Sequence, residues 1–248
     1  MNNPVYTFIH SAVQTGRKLV ALLIDPDTFS PETTPQLIAN SRADLLFVGG
    51  SLISKGDFAQ TIAAVKKCST LPVIIFPGSL LQISPKADAI LNLSLISGRN
   101  PDFLIGQHVI AAPLLKASKL EILPTGYILV ESGRQTTASY ISGTTPIPHD
   151  KDDIAMCTAL AGEMLGLKMI YMDGGSGARE TISESMIRKV KSTISVPLIV
   201  GGGIRDAATA HKLCKAGADI LVVGNGAHEN FDLAAAITTA VHSIPTGQ

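Results

Sequence analysis

Two short apolar runs, in PLIVGGGIRD at Pro197–Asp206 and in ILVVGNGA at Ile220–Ala227, each end on glycines instead of a polar turn residue. Glycine weakens a strand and leaves its backbone unshielded, so two such clusters indicate that something approaches the main chain closely. Bare N–H groups at Gly201, Gly202 and Gly203, and at Gly224, Asn225 and Gly226, can converge on an anion. A helix beginning near Asp206 adds a favourable dipole, and a phosphoryl group suits the arrangement. Tight turns that need positive φ are the alternative. A third cluster, YMDGGSGA at Tyr171–Ala178, places the carboxylate of Asp173 beside Gly174, Gly175, Ser176 and Gly177. Alone it would be an ordinary solvated turn; beside the other two it reads as a third wall of one pocket.

Two further strings place oxygen ligands. ALLIDPD sets Asp25 and Asp27 around Pro26, which fixes the turn and holds Asp25 rigidly, and FVGGSLIS follows Gly49 and Gly50 with Ser51. A carboxylate and a hydroxyl, completed by phosphate oxygens and water, form the hard donor set that Mg2+ takes. An Asp–Pro turn with a helix-capping serine is the plainer reading. Absences narrow the chemistry. No lysine ends an apolar run, Lys168 preceding the sixth, so Schiff-base chemistry has no nucleophile. His10, His108, His149, His211, His228 and His242 show no metal-ligand spacing, which argues against zinc hydrolysis. A phosphate cradle, a magnesium carboxylate and one more carboxylate suit the joining of a phosphorylated small molecule to a diphosphate.

Such residues need a frame. Apolar runs recur at Leu19–Ile24, Leu45–Val48, Val73–Phe76, Ala89–Leu93, Leu120–Leu123, Met169–Met172, Leu198–Val200 and Ile220–Val223, each short and continuous, as in strands covered on both faces. Helix-like segments lie between several of them; in DAATAHKLCKAGA, Ala207, Ala210, Leu213 and Cys214 share one face and Gly217 supplies the stop. Eight strand–helix units in 248 residues predict an α/β fold, a single TIM-type (β/α)8 barrel spanning 1–248, with residues 1–17 a leading helix or cap. Strand ends six, seven and eight are then neighbours at the catalytic face, with Asp25 on the far side of the rim. The Ser/Thr/Gly/Pro-rich connection from Gly133 to Asp150 reads as a substrate-facing loop.

Lys+Arg and Asp+Glu balance at 20 each, so neither nucleic acid nor an acidic membrane surface is a favoured partner and any anion site is local. Cys68, Cys157 and Cys214 are odd in number and far apart, against a disulfide framework and for a reducing, cytoplasmic setting. The N-terminal residues lack a signal-peptide pattern, and no apolar run approaches the roughly 18 residues of a membrane span.

The strings LLIDPD, LLFVGGS, PVIIFPGS, NPDFLIGQHVIAAP, LPTGYILVESG, YMDGGSGA, LIVGGGIRD and ADILVVGNGA, in order from about Leu19 to Asn230, resemble the geranylgeranylglyceryl phosphate synthase family of prenyltransferases. The resemblance implies a modified (β/α)8 barrel that transfers a prenyl group, typically geranylgeranyl, from its diphosphate to sn-glycerol 1-phosphate with Mg2+. Carried over by motif, Asp25 and Ser51 would hold magnesium. Tyr171, Met172, Asp173, Gly174, Gly175, Ser176, Gly177, Gly202, Gly203, Gly224 and Asn225 would hold glycerol phosphate, with Asp173 as the proton acceptor. The family pattern usually has glutamate there, so Asp173, one methylene shorter, requires a closer backbone or a water between base and substrate. Tyr127 and Glu131 are expected in the wall between the two substrates, and Phe76, Leu80, Leu81, Ile105, Ile110 and Leu114 along an apolar channel. The family also implies a homo-oligomer, and its lipid product implies transient membrane contact. Another phosphate-binding barrel isomerase or synthase, a flavin-binding barrel and a non-catalytic binder of phosphorylated metabolites remain as alternatives; the change at Asp173 keeps the last of these alive.

Overall fold

A computed structural model of the chain describes residues 3–224 and 231–246. Eight strands, β1 Leu19–Ile24, β2 Leu45–Val48, β3 Val73–Ile75, β4 Ala89–Leu95, β5 Glu121–Leu129, β6 Met169–Asp173, β7 Leu198–Gly201 and β8 Ile220–Val223, close in sequence order into a barrel. Every pair is parallel, and β8 closes on β1 with Ile220 opposite Leu19. Helices α1 Pro4–Gln14, α2 Thr34–Ser41, α3 Phe58–Cys68, α4 Gln107–Ser118, α5 Thr137–Ser142, α6 Asp152–Met164, α7 Glu184–Lys191, α8 Ala207–Ala216 and α9 Phe231–His242 accompany them. Two features modify the ideal repeat. Residues 76–88 join β3 to β4 without a helix, and a π-helical turn, Asp102–Gly106, leads into α4.

Side chains alternate across each strand, which explains the continuous apolar runs: both faces are buried. Leu45, Phe47, Ile74, Leu91, Leu123, Met169 and Tyr171 belong to the cluster inside the barrel, whereas Leu46, Val48, Ile75, Ile90, Ile170 and Met172 pack outward against the helices. α1 stoppers the end of the barrel where the strands begin, adding Val5, Ile9 and Ala12 to the inner cluster. Its otherwise orphaned N-terminal amides are satisfied from across the barrel, because Glu121 accepts from Val5 N and Tyr6 N at 2.8 Å each.

Strand starts at that end follow a repeated rule. Ala-Asp precedes β2, β4 and β8, as Ala43-Asp44, Ala87-Asp88 and Ala218-Asp219. In each case the aspartate amide donates to a carbonyl of the preceding odd strand, and its carboxylate accepts from the same residue's N–H: Val20 for Asp44, Val73 for Asp88, Leu198 for Asp219. At β6 the position is Lys168, whose amide still donates to the carbonyl of Pro124, at 2.9 Å. Proline has no N–H to satisfy, so the carboxylate is dispensable there. The same fact explains a difference from the sequence reading. A proline is expected to end a strand, yet β5 continues from Glu121 through Pro124 to Leu129, because the missing donor falls just before the first residue paired with β6, Thr125 opposite Met169. Basic side chains gather on these carboxylates. Lys18 and Lys191 bond Asp219 at 3.0 and 2.5 Å, Arg17 and the His242 ring bond Asp44, and Lys66 bonds Asp88.

Candidate active site

At the opposite end, where strands finish, the loops after β6, β7, β1 and β2, with Gly224 just past β8, surround an open cavity of about 600 Å³. Its lining includes Tyr171, Asp173, Gly175, Ser176, Gly177, Gly202, Gly203 and Gly224, and also Asp25, Gly50 and Ser51. The sequence reading expected Asp25 on the far side of the rim from the glycines; instead β1 pairs with β8, so Asp25 and Ser51 continue the same arc. Asn225 and Gly226 lie outside the described residues.

The loops after β6 and β7 pack backbone against backbone. Gly202 has φ +86°, and a Cβ there would sit 2.9 Å from the amide nitrogen of Gly175, so a side chain is excluded by both conformation and space. Among the described residues, the amides of Gly177, Gly202, Gly203 and Gly224 donate to no protein acceptor. Those of Gly174 and Gly175 are used by the chain itself, to Gly201 O at 3.0 Å and to Asp173 Oδ1 at 2.7 Å. Fewer amides are therefore open to an anion than the sequence suggests. Met172 and Gly174 line neither the open cavity nor the apolar one beside it, and Met172 is buried in the outer layer as the alternation along β6 requires.

Asp173 ends β6 with its side chain inward and 6% of its surface exposed. Gly175 N donates to Oδ1, and the Tyr127 hydroxyl donates to Oδ2 at 2.5 Å. Burial raises the carboxyl above its ordinary range, and these two hydrogen bonds hold it partly back. Burial, helped by the neighbouring carboxylate, drives the hydroxyls of Tyr127 and Tyr171 well above the usual phenol range, so both are neutral donors. Phe76 packs against Tyr127 and Tyr171 at ring separations of 5.9 and 5.3 Å, and the two tyrosines meet edge-on at 5.3 Å. Gly201 makes room for this aromatic floor, since a Cβ there would lie 2.6 Å from Tyr171 Oη.

Asp25 is half-buried, and Oδ1 accepts from Asp27 N at 2.9 Å. Gly50 abuts it, with both carboxylate oxygens 3.5 Å from where a Cβ would be. Asp27, although close in sequence, serves the loops instead. Its carboxylate takes the amides of Ser54, Lys55 and Gly56 and the Ser54 hydroxyl. Those bonds hold its carboxyl well below the usual range and tie the loop after β2 to the loop after β1.

A second, mainly apolar cavity of about 120 Å³ lies beside the first, lined by Phe76, Leu80, Leu91, Leu93, Phe103, His108, Tyr127 and Ile141 among others. The two share Gly50, Ser51 and Phe76. Tyr127 lines the apolar cavity and not the open one, and its hydroxyl bonds Asp173 of the open cavity; Glu131 is exposed and lines neither cavity. Leu81, Ile105, Ile110 and Leu114 also leave the channel expected of them; they lie on the outer surface, 59 to 90% exposed. The sequence reading missed His108, whose Nε2 bonds Leu93 O at 2.8 Å inside the apolar cavity. It also missed Arg205, which closes the open cavity by donating to Ala178 O at 2.8 Å. The only signal for Arg205 was its place two residues past the glycines of GGGIRD.

The sequence model of the PcrB family matches residues 13–242. The chain belongs to the PcrB family. It is 55% identical over 241 residues to a geranylgeranylglyceryl phosphate synthase of Spirosoma linguale, covering 96% of this chain and 97% of the relative. A protein of the same name from Pyrococcus abyssi is 42% identical, covering 89% of this chain and 88% of the relative. The fold is similar to the crystal structure of (S)-3-O-geranylgeranylglyceryl phosphate synthase from Thermoplasma acidophilum in complex with its substrate sn-glycerol-1-phosphate. That TM-score is 0.91 at 32% identity, over 98% of this chain and all of the other. No helix among the described residues is long and apolar enough to cross a membrane.

Proposed function

We propose that this PcrB-family protein is a prenyltransferase that joins sn-glycerol 1-phosphate to geranylgeranyl diphosphate through an ether bond and releases diphosphate. The observation that carries the reading is the junction of the two cavities: a buried carboxylate and glycine amides with no acceptor among the described residues on one side, an apolar pocket on the other, and the Tyr127 hydroxyl of that pocket bonded to the carboxylate. The names of the curated relatives and the substrate held by the Thermoplasma acidophilum enzyme support it.

The amides of Gly177, Gly202, Gly203 and Gly224 bind the phosphate of the acceptor and fix its free hydroxyl toward the reacting carbon. Orientation of this kind can be worth roughly 7–11 kcal/mol when the bound geometry is close to that of attack. Asp173, ionised, receives the hydroxyl proton as the ether forms, a contribution on the order of 10²–10⁴-fold. The half-buried carboxylate of Asp25 and the hydroxyl of Ser51, beside space for diphosphate oxygens and water, fit the donor set of Mg2+, and these two residues would hold it. Bound there, the ion would neutralise charge on the departing diphosphate. Homo-oligomer formation and transfer of the apolar product to a membrane belong to the same reading, and the exposed side chains of Ile105, Val109, Ile110 and Leu114 are consistent with a covered surface.

The test is incubation with sn-glycerol 1-phosphate, labelled geranylgeranyl diphosphate and Mg2+. A solvent-extractable phosphoglycerol ether, lost on adding EDTA, is expected. Binding of glycerol phosphate with no ether formed would favour a non-catalytic binder.

A further inference from the structure

The chain carries a carboxylate that is both short and set back. Asp173 reaches the open cavity, but Gly175 N occupies Oδ1 and the ring of Tyr127 stands between Oδ2 and the apolar cavity. The reacting carbon of a prenyl donor comes from the apolar side, so the acceptor hydroxyl must meet it at the partition, where Tyr127 carries a hydroxyl already bonded to the carboxylate. We infer that Tyr127 is a catalytic proton relay: as the acceptor oxygen bonds to the allylic carbon and diphosphate departs with the C–O electron pair, the hydroxyl proton passes to Tyr127 Oη and the proton of Tyr127 passes to Asp173 Oδ2. The assignment rests on the prenyl-transfer reading above and adds a residue to it.

Three observations carry the inference. The Tyr127–Asp173 hydrogen bond is 2.5 Å long and buried, so the second transfer needs no rearrangement. A phenol oxygen accepts as well as donates, which leaves lone-pair capacity for the substrate proton. Phe76 and Tyr171 hold the Tyr127 ring edge-on at interplanar angles of 72° and 74°, so the hydroxyl keeps its aim. Burial makes a free phenolate inaccessible, and the two protons consequently move in concert: Tyr127 starts and ends neutral, while Asp173 changes from carboxylate to acid. Release of product opens the site to water, which takes the proton back.

The test compares single-turnover rates of wild type, Tyr127→Phe and Tyr127→Phe/Asp173→Glu, with calorimetric binding of sn-glycerol 1-phosphate as the second readout. Tyr127→Phe is expected to slow the chemical step by about 10²-fold or more while leaving acceptor affinity within about threefold. The longer carboxylate in the double variant reaches about 1.5 Å further and is expected to restore at least tenfold of the loss by accepting the proton directly. A Tyr127→Phe enzyme within threefold of wild type, or a loss that Asp173→Glu does not recover, overturns the relay. Should Tyr127→Phe fail to fold, a fluorinated tyrosine incorporated at position 127 keeps the shape and acidifies the phenol; a single-turnover rate unchanged within threefold then overturns it. Wild-type protein that forms no ether defeats the prenyl-transfer reading itself, whereas an active wild type with an equally active variant defeats only the relay.

Discussion

Asp173, the base in the proposed reaction, is held at some cost to the fold. Its carboxyl is raised by burial, so between the ordinary carboxylate value and the raised one the folded chain binds more protons than the unfolded chain. Stability therefore falls as pH rises through that window, and above it an ionised group remains buried. Asp173→Asn should abolish transfer while raising the melting temperature at neutral pH, measured by calorimetry against wild type; equal melting temperatures would contradict the burial argument. Because the base must be ionised, the acid limb of the kcat profile should lie above the range of an exposed aspartate, and Tyr127→Phe should move it higher still, since the tyrosine bond opposes the shift. An acid limb that stays put in the variant would show that Tyr127 does not tune the base. Cys214 offers an independent check on burial: its thiol is pushed up to about 12, while Cys68 and Cys157 are exposed. Two thiols should titrate readily with a disulfide reagent in the native state, and the third only after unfolding.

At the scale of elements, much of the arrangement was legible because physical constraints left marks of the right period. Continuous apolar runs located the eight strands, since each is buried on both faces, and glycines located the rim because φ near +86° and backbone contact at Gly202 admit nothing else. Gly202→Ala should cost about 1–3 kcal/mol of stability and weaken glycerol phosphate binding; an unaffected variant would mean that the two loops can separate without consequence. What stayed hidden depended on direction. Motif matching carried Met172 into the site, yet a strand turns every second residue away. An apolar residue near a strand end also reads the same whether it faces a channel or water, which is why Leu81 and Leu114 were misplaced. The Ala-Asp pairs at 43–44, 87–88 and 218–219 were visible, but their meaning required the ladder. Only the register shows that each carboxylate meets the first unpaired N–H of its neighbour and that Pro124 removes the need for a fourth.

Across the whole molecule, the two ends of the barrel divide labour. The end where strands begin carries the helix stopper and the buried aspartates that tie remote segments together; Asp219 alone joins the start of β1, the end of α7 and the start of β7. Asp219→Ala removes the carboxylate that Lys18, Lys191 and the Leu198 amide share, leaving Lys191 only the Val196 carbonyl, and should lower stability by about 2–4 kcal/mol in denaturant unfolding while sparing glycerol phosphate affinity. The opposite end carries the candidate site, where the closing of β8 on β1 brings the rim glycines beside Asp25 and Ser51, and the apolar cavity lies beside the open one that Asp173 lines. The claim on which this arrangement depends is that the unpaired amides after β6, β7 and β8 grip a phosphoryl group. Titrating glycine-labelled ¹⁵N protein with sn-glycerol 1-phosphate tests it most directly. The amide resonances of Gly177, Gly202, Gly203 and Gly224 should move together and saturate with one affinity, while Gly174, bonded to its own chain, moves little. Saturable binding that leaves those four resonances in place, or that shifts glycines at the other end of the barrel instead, would contradict the account.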